Sequence, residues 1–146
     1  MNIKIQRLGE GFHLEARNEE GNTVLMDSSP ETGGQGKGMR PMQLLLSALG
    51  GCSAIDVINI LKKQKQDISA FEIEVTGERE KTEDHSLFKN IELHFKIKGT
   101  VDAIKAERAV KLALDKYCSV AKTLEPTARI HPVISINGQI IPPLKK

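Results

Sequence analysis

At 146 residues the chain has the length of one domain, enough to bury roughly two-thirds of the surface it exposes when unfolded. Its 21 basic and 19 acidic residues are interspersed and leave a formal net charge of +2, aromatics make up 3% and tryptophan is absent. Such a balance offers neither the basic footprint of a nucleic-acid-binding protein nor the stacking platforms of an RNA-binding sheet.

The opening segment, Met1 to Arg7, alternates Ile3 and Ile5 with polar neighbours and has no apolar signal core, so a cytosolic protein is expected. Gly9-Glu10-Gly11 makes a turn, Phe12, Leu14 and Ala16 alternate again, and Glu20-Gly21-Asn22 turns the chain into Thr23 to Asp27. This pattern predicts a three-stranded antiparallel meander. Ser28 to Met39 is a glycine-rich loop without the Gly-Lys-Ser/Thr ending of a phosphate-binding loop, so it is expected to be a mobile flap or connector.

Arg40 precedes Pro41, and proline suits the first turn of a helix, where its missing N–H costs nothing. From Met42 to Leu61 the residues are mostly apolar, with Asp56 the only charge, and they do not keep to one side. Burial on both flanks is therefore expected. As a membrane span the segment is a poor fit, since Asp56 in its middle would cost roughly 3 kcal/mol or more. Gly50 and Gly51 each cost about 1 kcal/mol against alanine within a helix; close approach by another backbone is the expected gain. Cys52, Asp56 and Asn59 fall on one stripe.

The helix closes near Gln64 in a lysine-rich run that suits the negative end of its dipole. Phe71, Ile73 and Val75, and after the charged loop Glu80 to Ser86 also Ile91, Leu93, Phe95 and Ile97, alternate with polar residues. Two strands with one wet face are expected, His94 lying on that face. Asp102 is placed to cap a second helix, with Ala106, Ala109, Val110, Ala113, Leu114 and Tyr117 as its buried stripe. A short helical piece reaches Leu124, Pro126 ends it, Ala128 to Ile136 reads as a final strand, and Asn137-Gly138 turns into a tail from Gln139 to Lys146.

The expected architecture is a single α+β domain over residues 1–146: a three-stranded meander, a long buried helix, two strands, one or two helices and a final strand. So apolar a helix has too little cover within one chain, which makes an obligate homodimer the expected assembly. Two cysteines, Cys52 and Cys118, and four scattered histidines show no metal-ligand spacing, so no zinc site is expected. On the residues alone, Cys52 is best explained as a buried and inert core thiol.

In their order and separation, Pro41-Met42-Gln43-Leu44-Leu45-Leu46-Ser47-Ala48-Leu49-Gly50-Gly51-Cys52 and Tyr117-Cys118-Ser119-Val120 resemble the OsmC/Ohr family, the osmotically inducible protein C and organic hydroperoxide resistance proteins. The resemblance spans nearly the whole chain. It implies an intertwined homodimer with central helices between two sheets, a site at the subunit interface, and thiol-based reduction of hydroperoxides. Cys52 would be the peroxide-attacking cysteine and Cys118 the resolving one, reset by an external dithiol, with no bound cofactor, membrane or nucleic acid involved.

The chain departs from the well-studied reductases at Met42, where they carry a glutamate that orients an activating arginine; it is therefore more similar to less characterised OsmC-like branches. Gln43 is uncharged and on a different face. Arg40 is the first candidate for the activating cation and Arg17 the second. Asp56 would oppose a thiolate by like-charge repulsion, so its expected role is to hold a cation or a backbone donor. The competing function is a non-catalytic module that binds a small apolar ligand or senses oxidants.

Overall fold

A computed structural model describes residues 1–142; the end of the expected tail, 143–146, lies outside the described residues. Two compact units share the chain, 1–45 and 46–146, the boundary falling within the long helix.

The N-terminal unit is the expected meander. Strands β1 (Ile3–Arg7), β2 (Leu14–Asn18) and β3 (Thr23–Met26) pair antiparallel in the order β1-β2-β3, with Ile5 opposite Ala16 and Ala16 opposite Val24. Phe12, expected in the second strand, precedes it and is exposed. The glycine-rich segment is not a loose flap. The Asp27 carboxylate accepts from the backbone N–H groups of Ser28 (2.7 Å), Gln35 (2.9 Å) and Lys37 (3.0 Å), folding the loop around itself. Met39 then bridges back to the end of β3. Two glycines make this possible: a Cβ on Gly34 would lie 1.9 Å from the Ser28 carbonyl oxygen, and one on Gly38 2.5 Å from the Leu25 carbonyl carbon. Because these N–H groups already bind a carboxylate, they do not form a phosphate cradle.

Helix α1 runs Pro41–Lys63. At its start Arg40 N–H donates to Gln43 Oε1 (2.9 Å), a capping contact that fills one of the donors a helix N-terminus leaves open. At its end Lys65 takes a left-handed conformation and Gln66 N–H closes on the Leu61 carbonyl (3.0 Å).

The C-terminal unit contains a four-stranded sheet in the order β4-β5-β6-β7, formed by β4 (Asp67–Lys81), β5 (Ser86–Thr100), β6 (Arg129–Ile136) and β7 (Gln139–Ile140). The β4–β5 hairpin is longer than expected, its strands running into the segment expected to be a loop. Asn137 and Gly138 both have positive φ, as a two-residue hairpin turn requires, so the segment expected to be a tail begins with a further strand. β6 pairs parallel to β5, which demands a crossover, and the crossover is helical. Phe71, Ile73 and Val75 align with Ile97, Phe95 and Leu93, which align in turn with Ile136, Ile134 and Pro132, giving one apolar face. On the opposite face Lys96 Nζ bridges Glu72 and Glu74, each at 2.8 Å, and His94 meets Ser135 at 3.0 Å.

α1 buries Leu49, Gly50, Ser53, Val57 and Leu61, one stripe only. Burial on both flanks does not hold within the chain, because the sheet covers one side and leaves Gly51, Ile55 and Asn59 exposed. A Cβ on Gly50 would lie 2.9 Å from Val75 Cγ2, whereas one on Gly51 would meet nothing within 4 Å. The close approach at Gly50 is therefore to side chains of β4 and not to a backbone.

Helix α2 (Ala103–Leu112) is capped as expected, Lys105 N–H donating to Asp102 Oδ1 at 2.9 Å. It continues as one wide π turn, Ala113–Tyr117, before α3 (Ser119–Leu124). The extra residue in that turn rotates the next part of the chain by about 100°. Tyr117, expected in the buried stripe, is 49% exposed for this reason, while Cys118 is fully buried.

Candidate active site

Cys52 and Asp56 stand one turn apart on α1, and Cys118 closes the π turn, its N–H donating to the Ala113 carbonyl at 2.7 Å. Both cysteines are free thiols; Cys52 is half-buried and Cys118 buried. The two sulfurs and a carboxylate oxygen of Asp56 all lie within 4.8 Å of one another. Asn59, two positions before Leu61 on the same helix, is exposed.

Cys118 sits where a helix begins. Its Sγ accepts from Ala121 N–H (3.4 Å), in the manner of an N-cap side chain, and from Ser53 Oγ–H (3.3 Å). Ser53 is itself fully buried, so this contact satisfies its only side-chain polar group. Burial pushes the Cys118 thiol up from its ordinary value; the Ser53 hydroxyl and the Ala121 N–H act in the opposite direction, and the neighbouring Cys52 adds to the rise. Among the described residues no cation is one of the groups that bear on this sulfur.

Arg40, Arg17 and Gln43 belong to the N-terminal unit. Arg40 is exposed and its charge helps to lower the Glu31 carboxyl, behind the stronger effects of hydrogen bonds from the Ser29 side chain and the Glu31 backbone. Arg17 pairs with Glu15 at 2.9 Å, and Gln43 caps the start of α1. Sequence reasoning missed Ser53 and Asp27. Ser53 carried a signal, being the sole hydroxyl on the stripe Leu49–Ser53–Val57–Leu61; Asp27 carried none beyond its position before a glycine-rich loop.

The family model described as OsmC-like protein matches residues 34–132, including both cysteines. The chain belongs to the OsmC-like family. Protein YhfA of Escherichia coli K12 is 44% identical over 123 residues, covering 83% of this chain and 87% of its own. A hypothetical protein from Aquifex aeolicus has a similar structure, with a TM-score of 0.78, 28% identity and 94% of this chain and 97% of that one covered. An organic hydroperoxide resistance protein, OsmC, from Legionella pneumophila shares the fold at a TM-score of 0.71 and 18% identity, over 92% of this chain and 97% of that one. The α+β architecture is thus the OsmC-like fold; α1 is long and apolar enough to cross a membrane by length and composition, and in this fold it buries one stripe against the sheet.

Proposed function

We propose that the protein reduces hydroperoxides, organic ones preferentially, through its cysteine pair. The observation that carries this reading is the pairing of an accessible thiol with a buried one, their sulfurs within 4.8 Å. The Cys52 thiolate attacks the distal peroxide oxygen; the O–O bond breaks, the alkoxide leaves with a proton as alcohol, and Cys52 becomes a sulfenic acid. The Cys118 sulfur then displaces the hydroxyl as water, forming a disulfide before over-oxidation can occur. An external dithiol returns the two electrons and two protons. Bridging needs the sulfurs to close to about 2.05 Å, a movement that rotation of the half-buried Cys52 side chain can supply.

We assign the activating cation to Arg40 before Arg17, and the assembly to a homodimer of one OsmC-like domain in the reducing cytosol, where two free thiols persist. One observation favours the binding-module alternative: the group that lies beside both thiols is a carboxylate, Asp56. Turnover of cumene hydroperoxide and hydrogen peroxide by purified protein with a dithiol separates the two. Consumption that is lost in Cys52→Ser, with mass mapping of a Cys52–Cys118 bridge, is the expected result. No consumption, or over-oxidation of Cys52 with Cys118 still free, refutes the two-cysteine cycle. Arg40→Met is expected to slow alkylation of Cys52 at neutral pH in a Cys118→Ser background; slowing by Arg17→Met alone reverses the arginine assignment.

A further inference from the structure

We propose that, in the reduced protein, Cys52, Asp56 and Cys118 bind one thiophilic divalent cation, for which Zn²⁺ is the probe. The inference concerns the reduced thiols alone and stands whether or not the pair turns over peroxide. Spacing in the sequence offers no ligand motif, because only Cys52 and Asp56 are near neighbours and the third donor arrives through the crossover. The fold brings the three ligand atoms within 4.8 Å of one another. A tetrahedral zinc with Zn–S about 2.3 Å and Zn–O about 2.0–2.2 Å holds its ligands roughly 3.3–3.8 Å apart. A contraction on the order of 1 Å is therefore needed, and both Cys52 and Asp56 are half-buried side chains on one helix face that can turn to provide it.

Charge and surroundings agree with this assignment. Among the described residues no cation pairs with Asp56. A dication supplies the missing charge and deprotonates the thiols on binding. The fixed ligand is already supported: Ser53 Oγ–H and Ala121 N–H both donate to the Cys118 sulfur, the outer contacts that orient a metal-bound thiolate. Three protein ligands leave a fourth position open, so the ion is exchangeable and not a structural staple. Metal binding and disulfide formation use the same two sulfurs and exclude each other, which makes the cation a guard of the reduced pair.

The test uses reduced, wild-type full-length protein with Zn²⁺, and Cd²⁺ as its spectroscopic substitute. Chelator competition is expected to give one ion per chain, X-ray absorption at the zinc edge two sulfur ligands with oxygen in the remaining positions, and Cd²⁺ a thiolate charge-transfer band. Asp56→Asn, close to isosteric, is expected to weaken binding about tenfold or more, and bound Zn²⁺ to slow alkylation of both cysteines together. A zinc shell with one sulfur or none, or undiminished affinity in Asp56→Asn, overturns the proposal.

Discussion

The two units of this chain are stabilised in different ways. In the C-terminal unit Leu49, Val57, Leu61, Ile91, Leu93, Phe95, Ile97, Ala109 and Val110 are all at most 1% exposed, a packed apolar core. In the N-terminal unit only Met26 and Asp27 are buried, while Ile3, Ile5, Phe12, Val24 and Leu25 are each 42% exposed or more. The first obeys the usual logic, in which each buried large side chain contributes about 1.5–3 kcal/mol. The second has a polar clasp, Asp27, and exposed apolar side chains, with Ile5 and Val24 sharing one sheet face across Ala16. Clustered exposed apolar residues of that kind mark an interaction surface, and a second copy of the chain is the occupant the proposed homodimer provides.

Mutations can break this contrast, and the largest effect is expected in the core. Phe95→Ala should cost about 3–5 kcal/mol in a denaturation experiment, at every protein concentration that keeps the assembly state constant. Ile5→Ala should instead act through association, lowering the midpoint in a concentration-dependent way and shifting light scattering toward monomer. A concentration-independent loss at Ile5 as large as that at Phe95 would erase the difference between the units.

Next in size are the adjacent glycines of α1. Gly50→Ala gains about 1 kcal/mol of helix propensity, but its Cβ would meet Val75 Cγ2 at 2.9 Å. Overpacking costs about 1–3 kcal/mol, so a net loss is expected. Within the chain Gly51 is open, and alanine there should simply stabilise the helix. In a dimer packed across the Gly51–Ile55–Asn59 stripe, Gly51→Leu should cost about 1–3 kcal/mol and weaken association. Stabilisation by Gly51→Ala with unchanged dimerisation would remove that stripe from the interface.

Whether a feature was legible in the sequence depends on the range over which it is encoded. Strand alternation in Ile91 to Ile97, the Asp102 cap and the start of α1 at Pro41 are local patterns, and the structure has them where the sequence put them. The π turn at Ala113–Tyr117 is not local: no residue in it breaks a helix, so periodicity carried Tyr117 into the buried stripe and gave no reason to expect Cys118 to be turned inward. Likewise, a run of glycines reads as freedom, yet Gly34 and Gly38 permit close backbone contact in a loop that one carboxylate organises. The two cysteines could be paired from the resemblance. Their common neighbours, Ser53 and Asp56, could be placed beside Cys118 only once the crossover was known.

Smaller effects test the site within the core. Ser53→Ala removes a hydrogen bond typically worth about 0.5–1.5 kcal/mol, along with one of the two donors opposing the burial-driven rise of the Cys118 thiol. That thiol should rise further, so Cys118 in a Cys52→Ser background should react more slowly with an alkylating agent at mildly alkaline pH. Ser53→Thr, which keeps the hydroxyl, should restore the rate. Equal rates in Ser53→Ala and the parent would mean that the contact only fills space.

The smallest global effect is expected at Asp27, because what it holds is confined to one loop. Its carboxyl lies below the ordinary aspartate range, chiefly through the Lys37 N–H, with Gln35, Ser28 and the charge of His13 adding to the effect and burial opposing it. A carboxyl depressed by folding contributes stability that is fully present above the unfolded value, about 3.9, and is lost as pH falls through the lower folded value. Amide exchange at Gln35 and Lys37 should therefore stay protected through mildly acidic conditions and open only below pH ~4. Protection in the β4–β5 hairpin should not track the same curve, since its ladder is built from backbone groups that do not titrate. Asp27→Asn keeps one carbonyl acceptor but no charge, so it should loosen the loop at neutral pH and abolish its acid transition. If the loop amides of the parent keep full protection to pH ~2, or if Asp27→Asn leaves them as protected as before, the N-terminal unit is held by something other than this clasp.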